Sequence, residues 1–106
     1  MAKRESANIF TPEGAIDLHV SPEIRAALLE IIDAKPKRVV VDLSRVPYVD
    51  SSGIATLILA RQSLDEQHGR LMLAAPREPV QLILATARLD KYFEIFSTVE
   101  DALAAL

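Results

Sequence analysis

The sequence predicts an α/β fold with a largely parallel sheet of four to five strands and about four helices. Segments typical of strands alternate with segments typical of helices along the 106 residues. Residues 39–41 and 71–75 are continuously apolar, as strands covered on both faces of a parallel sheet are. Half of the residues are hydrophobic, which lets a chain of this length bury a core without disulfides. We therefore expect one domain over residues 1–106.

The first half of the chain contains two predicted strands separated by a helix. Residues 8–11 predict a short first strand, and residues 12–14 predict a turn after it. Ser21, which precedes a proline and an acid, predicts the N-cap of a helix with apolar positions 24, 27, 28, 31 and 32 on one face. Pro36 ends that helix. Residues 38–43 then predict a buried strand.

The second half repeats the alternation. Residues 54–68 predict a helix, with Gly69 as the residue that ends it. Residues 71–75 predict a strand, residues 79–89 a helix and residues 93–96 a strand. Residues 97–100 have the Ser-x-x-Glu form of a capping box, which predicts a terminal helix with Ser97 as its N-cap.

Composition argues against several functional classes. The chain has 12 basic and 15 acidic residues, a net charge of −3, so we expect no nucleic-acid partner. Its apolar runs are too short for membrane insertion, and residues 1–6 do not resemble a secretory signal, so we expect a cytoplasmic protein. Cysteine is absent, and three glycines cannot form a phosphate-binding loop.

Enzymatic and metal chemistry find little support in the sequence. His19 and His68 lack neighbouring ligand residues, so we expect exposed histidines, no metal site and no cofactor. A triad of Ser51, His19 and Asp50 could be drawn, but Ser51 lacks the Gly-x-Ser-x-Gly elbow of hydrolases. We therefore expect no enzyme and no catalytic residues.

The most informative segment is Asp50-Ser51-Ser52-Gly53, which follows a predicted buried strand and opens an apolar helix. Functional groups in α/β proteins gather beyond the carboxyl ends of parallel strands. The two serines would lie at a helix N-terminus, which favours negative charge. Two interpretations stay open: a serine that caps the helix, or a serine whose hydroxyl is exposed for chemistry. Gly53 would allow the backbone of another chain to approach closely.

Asp50-Ser51-Ser52-Gly53 after strand 38–43 resembles the signature of STAS domains, and specifically of the bacterial anti-sigma factor antagonists. Gly14-Ala15-Ile16-Asp17 is similar to the turn before the first helix of that family. Residues 89–96 and 99–103 resemble its last strand and last helix. The resemblance covers residues 6–105 and implies a single STAS-type domain.

The resemblance also implies a phosphorylation switch. A serine kinase that is itself the anti-sigma factor would phosphorylate Ser51; the unmodified chain would bind this kinase, the phosphorylated chain would release it, and a PP2C-type phosphatase would reset the switch. The residues implied in partner binding or in support of the phosphorylation site are Asp17, Asp50, Ser52, Gly53, Ile54 and Leu57.

Two features depart from the family pattern. Ala15 occupies a position that is usually acidic and contacts the partner. One predicted strand, where many relatives have two, precedes Gly14, which would leave an unpaired sheet edge. We expect a monomer or a weak dimer.

Other interpretations remain open. STAS domains also serve as accessory subunits of membrane transporters, including lipid ABC-type systems, without a phosphorylation cycle; the serine after Asp50 favours the switch. A domain that binds a nucleotide or another small ligand is a third possibility. Ile54, Leu57 and Ile58 could form an exposed apolar centre or pack under the sheet, and Thr56 is expected to be structural.

Overall fold

The computed structural model describes residues 7–105, in which four strands alternate with four helices. In chain order these are β1 Ala7–Phe10, α1 Ser21–Asp33, β2 Arg38–Asp42, α2 Ser51–Glu66, β3 Arg70–Ala74, α3 Glu78–Thr86, β4 Glu94–Phe96 and α4 Val99–Ala104. The predicted α/β fold is confirmed, and every predicted element is present. Within this part of the chain no helix is both long enough and apolar enough to cross a membrane.

The four strands form one parallel sheet in the order β1-β2-β3-β4. Each strand is joined to its neighbour by a crossover that contains a helix, as parallel pairing requires. The register places Val40 of β2 between Ile9 of β1 and Met72 of β3. Because the strands are parallel, their carboxyl ends share one edge of the sheet, where the segment between β2 and α2 lies.

The sheet buries side chains on both of its faces. Val39 and Val41 of β2 point to one face, where they form a core with apolar residues of α1, α2 and α3. Val40 and Met72 point to the other face and pack on Ala102 of α4. Since β2 is covered on both sides, its run of three valines is continuous rather than alternating.

Arg38 ties α4 to the sheet. Its side chain is buried at 6% exposure, and its Nη1 donates hydrogen bonds to the carbonyl oxygens of Leu103 at 3.0 Å and Ala105 at 2.9 Å. These carbonyls lie at the end of α4, where no further turn of helix can satisfy them. The buried guanidinium of Arg38 therefore satisfies two carbonyl groups at the end of α4.

Both expected serine N-caps are wrong by one residue. The N-cap of α1 is Val20, without a side-chain hydrogen bond, and Ser21 is the first residue of the helix. The N-cap of α4 is Thr98 rather than Ser97, because the Thr98 hydroxyl accepts the Asp101 N–H at 3.0 Å.

The end of α2 also differs from the expectation. His68, with φ of 63°, and not Gly69 adopts the left-handed conformation after the helix. Glycine at position 69 leaves space, since a Cβ there would lie 2.7 Å from Cδ2 of Leu64 and would force that side chain to shift. The helix itself ends at Glu66, two residues before the predicted end at residue 68.

Candidate functional site

The site is the turn from β2 into α2 at the carboxyl edge of the sheet. Helix α2 begins at Ser51, three residues before the predicted start at residue 54. Ser51 is exposed, whereas Ser52 is half-buried. Two adjacent serines in the first turn of one helix therefore have different surroundings.

Asp50, and not a serine, is the N-cap of α2. Its Oδ1 accepts the backbone N–H of Ser52 at 2.8 Å and that of Gly53 at 3.2 Å. Its Oδ2 accepts the N–H of Leu18 at 3.1 Å, which joins the cap to the segment before α1. The expectation that a serine caps the helix is wrong, because the Asp50 carboxylate, with two acceptor oxygens, accepts the N–H groups of Ser52 and Gly53.

Hydrogen bonds keep Asp50 ionised. The hydroxyl of Ser52 donates to Oδ1 at 2.5 Å and is the largest of the influences that lower the pKa of Asp50 below its ordinary 3.8. The backbone N–H groups of Gly53, Ser52 and Leu18 lower the pKa further, against the effect of desolvation. A carboxylate that accepts several hydrogen bonds holds its negative charge, so the site carries a fixed charge beside Ser51 at neutral pH.

A serine that the sequence did not single out for the site completes it. Ser21, at 5% exposure, has its Oγ 2.8 Å from Oγ of Ser52 and 2.9 Å from the carbonyl oxygen of Asp17. The hydroxyls of Ser21 and Ser52 and the carboxylate of Asp50 form a continuous hydrogen-bonded chain between α1 and α2. No sequence signal could have revealed it, because the two serines are 31 positions apart.

Asp17 lies next to this series of hydrogen bonds, but its own carboxylate accepts hydrogen bonds from neighbouring residues of the turn. Its Oδ1 accepts the N–H groups of His19 at 2.9 Å and Val20 at 3.2 Å, which shapes the turn before α1. The turn is held to the site by its neighbour, since Ile16 O accepts the N–H of Asp50 at 3.1 Å. Asp17 thus supports the turn.

Gly53 permits a close approach within the chain. A Cβ on this buried residue would lie 3.0 Å from both Cγ2 and the carbonyl oxygen of Ile16. The backbone that approaches Gly53 in this structure belongs to the turn before α1 of the same chain. Gly53 therefore acts by letting the two segments pack together.

The apolar residues near the site differ from the expectation. Leu57 is 1% exposed and belongs to the core, so of the two placements left open by the sequence it packs under the sheet and offers no surface for direct contact with a partner. Ile54 is half-buried against the same core. Leu18 and Tyr48 are 71% and 50% exposed. Thr56 is buried, and its hydroxyl donates to Ser52 O at 2.9 Å, which is the structural role expected of it.

Two relatives illustrate what the chain is similar to in sequence. It is 28% identical over 109 residues to the anti-sigma-F factor antagonist RsfB of Mycobacterium tuberculosis, which covers all of this chain and 86% of RsfB. It is 31% identical over 83 residues to a STAS-domain containing protein of Pseudomonas aeruginosa, which covers 78% of this chain and 81% of that protein.

Solved structures share the fold. The unphosphorylated form of SpoIIAA, an anti-sigma factor antagonist from Bacillus, superposes with a TM-score of 0.79 at 24% identity over 97% of this chain and 89% of SpoIIAA. A sulfate transporter family protein from Wolinella succinogenes superposes with a TM-score of 0.81 at 21% identity over 92% of this chain and 82% of that one. The family model of the STAS domain matches residues 1–102. The chain therefore belongs to the STAS domain family.

Proposed function

We propose that this chain is an anti-sigma factor antagonist switched by phosphorylation of Ser51. The unmodified chain binds a serine-kinase anti-sigma factor, phosphorylation of Ser51 releases it, and a PP2C-type phosphatase restores the hydroxyl. The carrying observation is that Ser51 is exposed in the first turn of α2, beside a serine whose hydroxyl is already engaged. The relative RsfB is an anti-sigma-F factor antagonist, which supports an anti-sigma factor as the partner. The chain itself acts by binding in the cytoplasm and catalyses no reaction.

The surface around Ser51 has the composition of a docking site. Leu18 and Tyr48 are both at least half exposed, and both are close in the chain to acidic residues of the turn. The N–H of Leu18 is bound to Asp50, so its side chain projects from the segment next to Ser51. Protein interfaces combine an apolar centre with a polar rim. Leu18 and Tyr48, here called the docking pair, are the exposed apolar residues that we propose for such a centre.

The electrostatics of the site support release on phosphorylation. A phosphate adds about −1.5 to −2 charges at pH 7, and it would stand next to the ionised carboxylate of Asp50. The dipole of α2 would stabilise this phosphate by at most about 2 kcal/mol. Like charges in a desolvated interface cost several kcal/mol, so the balance favours separation from the partner.

The test is to measure binding to the serine-kinase anti-sigma factor by calorimetry. Ser51→Asp should weaken binding at least roughly tenfold, because a charge enters the interface. Ser51→Ala should bind as the unmodified chain does and should stay bound when ATP is added. The matched control is Ser97→Asp, which adds the same charge at an exposed serine before α4. Equal affinities of the wild type and Ser51→Asp would refute the charge mechanism.

The likeness to a sulfate transporter family protein supports a second candidate, an accessory STAS domain that docks on a membrane transporter without phosphorylation. The two candidates differ at Ser51. Incubation with the kinase and ATP, followed by mass spectrometry, should place phosphate on Ser51 in the first case. A chain that neither binds the kinase nor becomes labelled favours the second candidate.

A further inference from the structure

We infer that Ser21 is a positioning residue that restricts phosphorylation to Ser51 by donating a hydrogen bond to the hydroxyl oxygen of Ser52. The inference rests on the proposed function, since it concerns which of two adjacent serines the kinase can use. It is carried by the hydrogen-bonded chain from Ser21 through Ser52 to Asp50.

The direction of each hydrogen bond in this chain follows from the groups present. Asp50 is ionised and has no proton to give, so the Ser52 hydroxyl donates to it at 2.5 Å. Having donated its one proton, Ser52 can only accept from Ser21 across the 2.8 Å between their oxygens. The other acceptor near the Ser21 hydroxyl is the carbonyl oxygen of Asp17, which already accepts the backbone N–H groups of Ser21 at 2.8 Å and Val20 at 3.1 Å. The one proton of the Ser21 hydroxyl is therefore assigned to Ser52.

Ser52 would otherwise be suited to attack phosphorus. In phosphoryl transfer a lone pair of the serine oxygen forms a bond to the terminal phosphorus of ATP, the bond from that phosphorus to the bridging oxygen breaks, and ADP leaves with the electron pair. The hydroxyl proton passes to a base. Ser52 already has a base, since the Asp50 carboxylate lies 2.5 Å from its hydroxyl oxygen, and a hydroxyl paired with a base is the usual form of an activated nucleophile.

Ser21 opposes this activation. Its hydroxyl donates into one of the two lone pairs of the Ser52 oxygen, which lowers the nucleophilicity of that oxygen, and Ser52 is kept half-buried between the two helix starts. Ser21 is itself 5% exposed and held at the first residue of α1, so this donor is fixed in place. Ser51 is exposed and free of this constraint. The choice between the serines is therefore built into the chain and does not depend on the kinase alone.

The experiment phosphorylates the full chain with its serine-kinase anti-sigma factor and ATP, and resolves the two sites by tandem mass spectrometry. The wild type should carry phosphate on Ser51. Ser21→Ala should raise the rate at Ser52 roughly five- to tenfold, the effect of losing one hydrogen bond, with the rate at Ser51 retained. Ser21→Cys, which is closer in size and donates weakly, should behave as Ser21→Ala does. Ser21→Thr keeps the hydroxyl and should restore the wild-type pattern.

The outcomes separate the two proposals. Phosphate on Ser51 alone in both Ser21→Ala and Ser21→Cys overturns the role of Ser21 and leaves the switch intact. Loss of phosphate from Ser51 without a gain at Ser52 indicates a merely structural role and also overturns it. A wild type that is labelled on neither serine overturns the phosphorylation switch and, with it, this inference. The variant Ser97→Ala controls for the loss of a hydroxyl elsewhere and should leave the pattern unchanged.

Discussion

Ser51 and Ser52 show how strongly the surroundings decide what a residue can do. Both are serines in the first turn of α2, yet one hydroxyl is exposed and the other is held between Asp50 and Ser21. The sequence motif located the pair but could not distinguish their environments, because the distinguishing contact comes from α1. At this scale, a distant residue sets the difference between neighbours.

The pH dependence of stability should report on the Asp50 cap. Because the pKa of Asp50 is lowered in the folded chain, its contribution is present above the ordinary value of 3.8 and is lost as the pH falls through the folded-state pKa. Asp50→Asn should therefore have a lower urea midpoint than the wild type at neutral pH, and the difference should shrink in acid. Urea titrations at several pH values measure it. The control Ser51→Ala should follow the wild type in parallel, and a constant gap between wild type and Asp50→Asn would contradict the assignment.

The element types followed from the sequence, whereas the ends of the elements did not. Strand and helix periodicity is local, so all eight elements could be predicted from it. Caps depend on which group reaches a free N–H in three dimensions. Ser21 faces Ser52 instead of capping α1, and Asp50 outcompetes the serines that follow it. The errors at the starts of α2 and α4 have this cause, since Asp50 and Thr98 supply the caps there.

The attachment of α4 gives a prediction at the level of an element. Arg38→Met keeps the length of the buried side chain but removes its hydrogen bonds to the carbonyls of Leu103 and Ala105. Removal of a buried charge offsets part of the loss, so we expect a change in global stability below about 2 kcal/mol. Local opening of α4 should rise roughly tenfold.

Amide hydrogen exchange of α4 residues measures that opening, and urea unfolding measures the global change. The matched control is Arg77→Met, at an exposed arginine before α3, which should leave α4 exchange unchanged. Exchange of α4 that is the same in Arg38→Met and the wild type would contradict the role of Arg38.

Residues 7–105 are organised around one parallel sheet whose two faces are covered unequally by helices. Helices α1, α2 and α3 contribute to the core on one face, and the six-residue α4 packs on the other. Continuous apolar strands predicted a sheet covered on both faces. They could not predict how the helices divide between the faces, because that depends on the path of each crossover. The same limit left the position of Leu57 open between the surface and the core, since an apolar position in a helix does not state which side faces the sheet.

Core and surface leucines should separate stability from binding. Leu57→Ala should cost about 2–5 kcal/mol in the free energy of unfolding, because it leaves a cavity under the sheet. Leu18→Ala should change stability by less than about 0.5 kcal/mol, since the side chain is 71% exposed, yet it should weaken binding of the anti-sigma factor. Urea unfolding and calorimetry measure the two effects. A Leu18→Ala chain that binds at full strength would remove Leu18 from the docking pair.

The contact between Gly53 and Ile16 has a consequence for how a modification at Ser51 would act. The start of α2 and the turn before α1 pack so closely that a Cβ on Gly53 would lie 3.0 Å from two atoms of Ile16 and would force one of the segments to shift. Because the two segments are already in contact, the start of α2 has little room to move inward and so reduce a new repulsion. A phosphate on Ser51 would therefore repel a bound partner protein and separate the two proteins, while this chain keeps its own conformation.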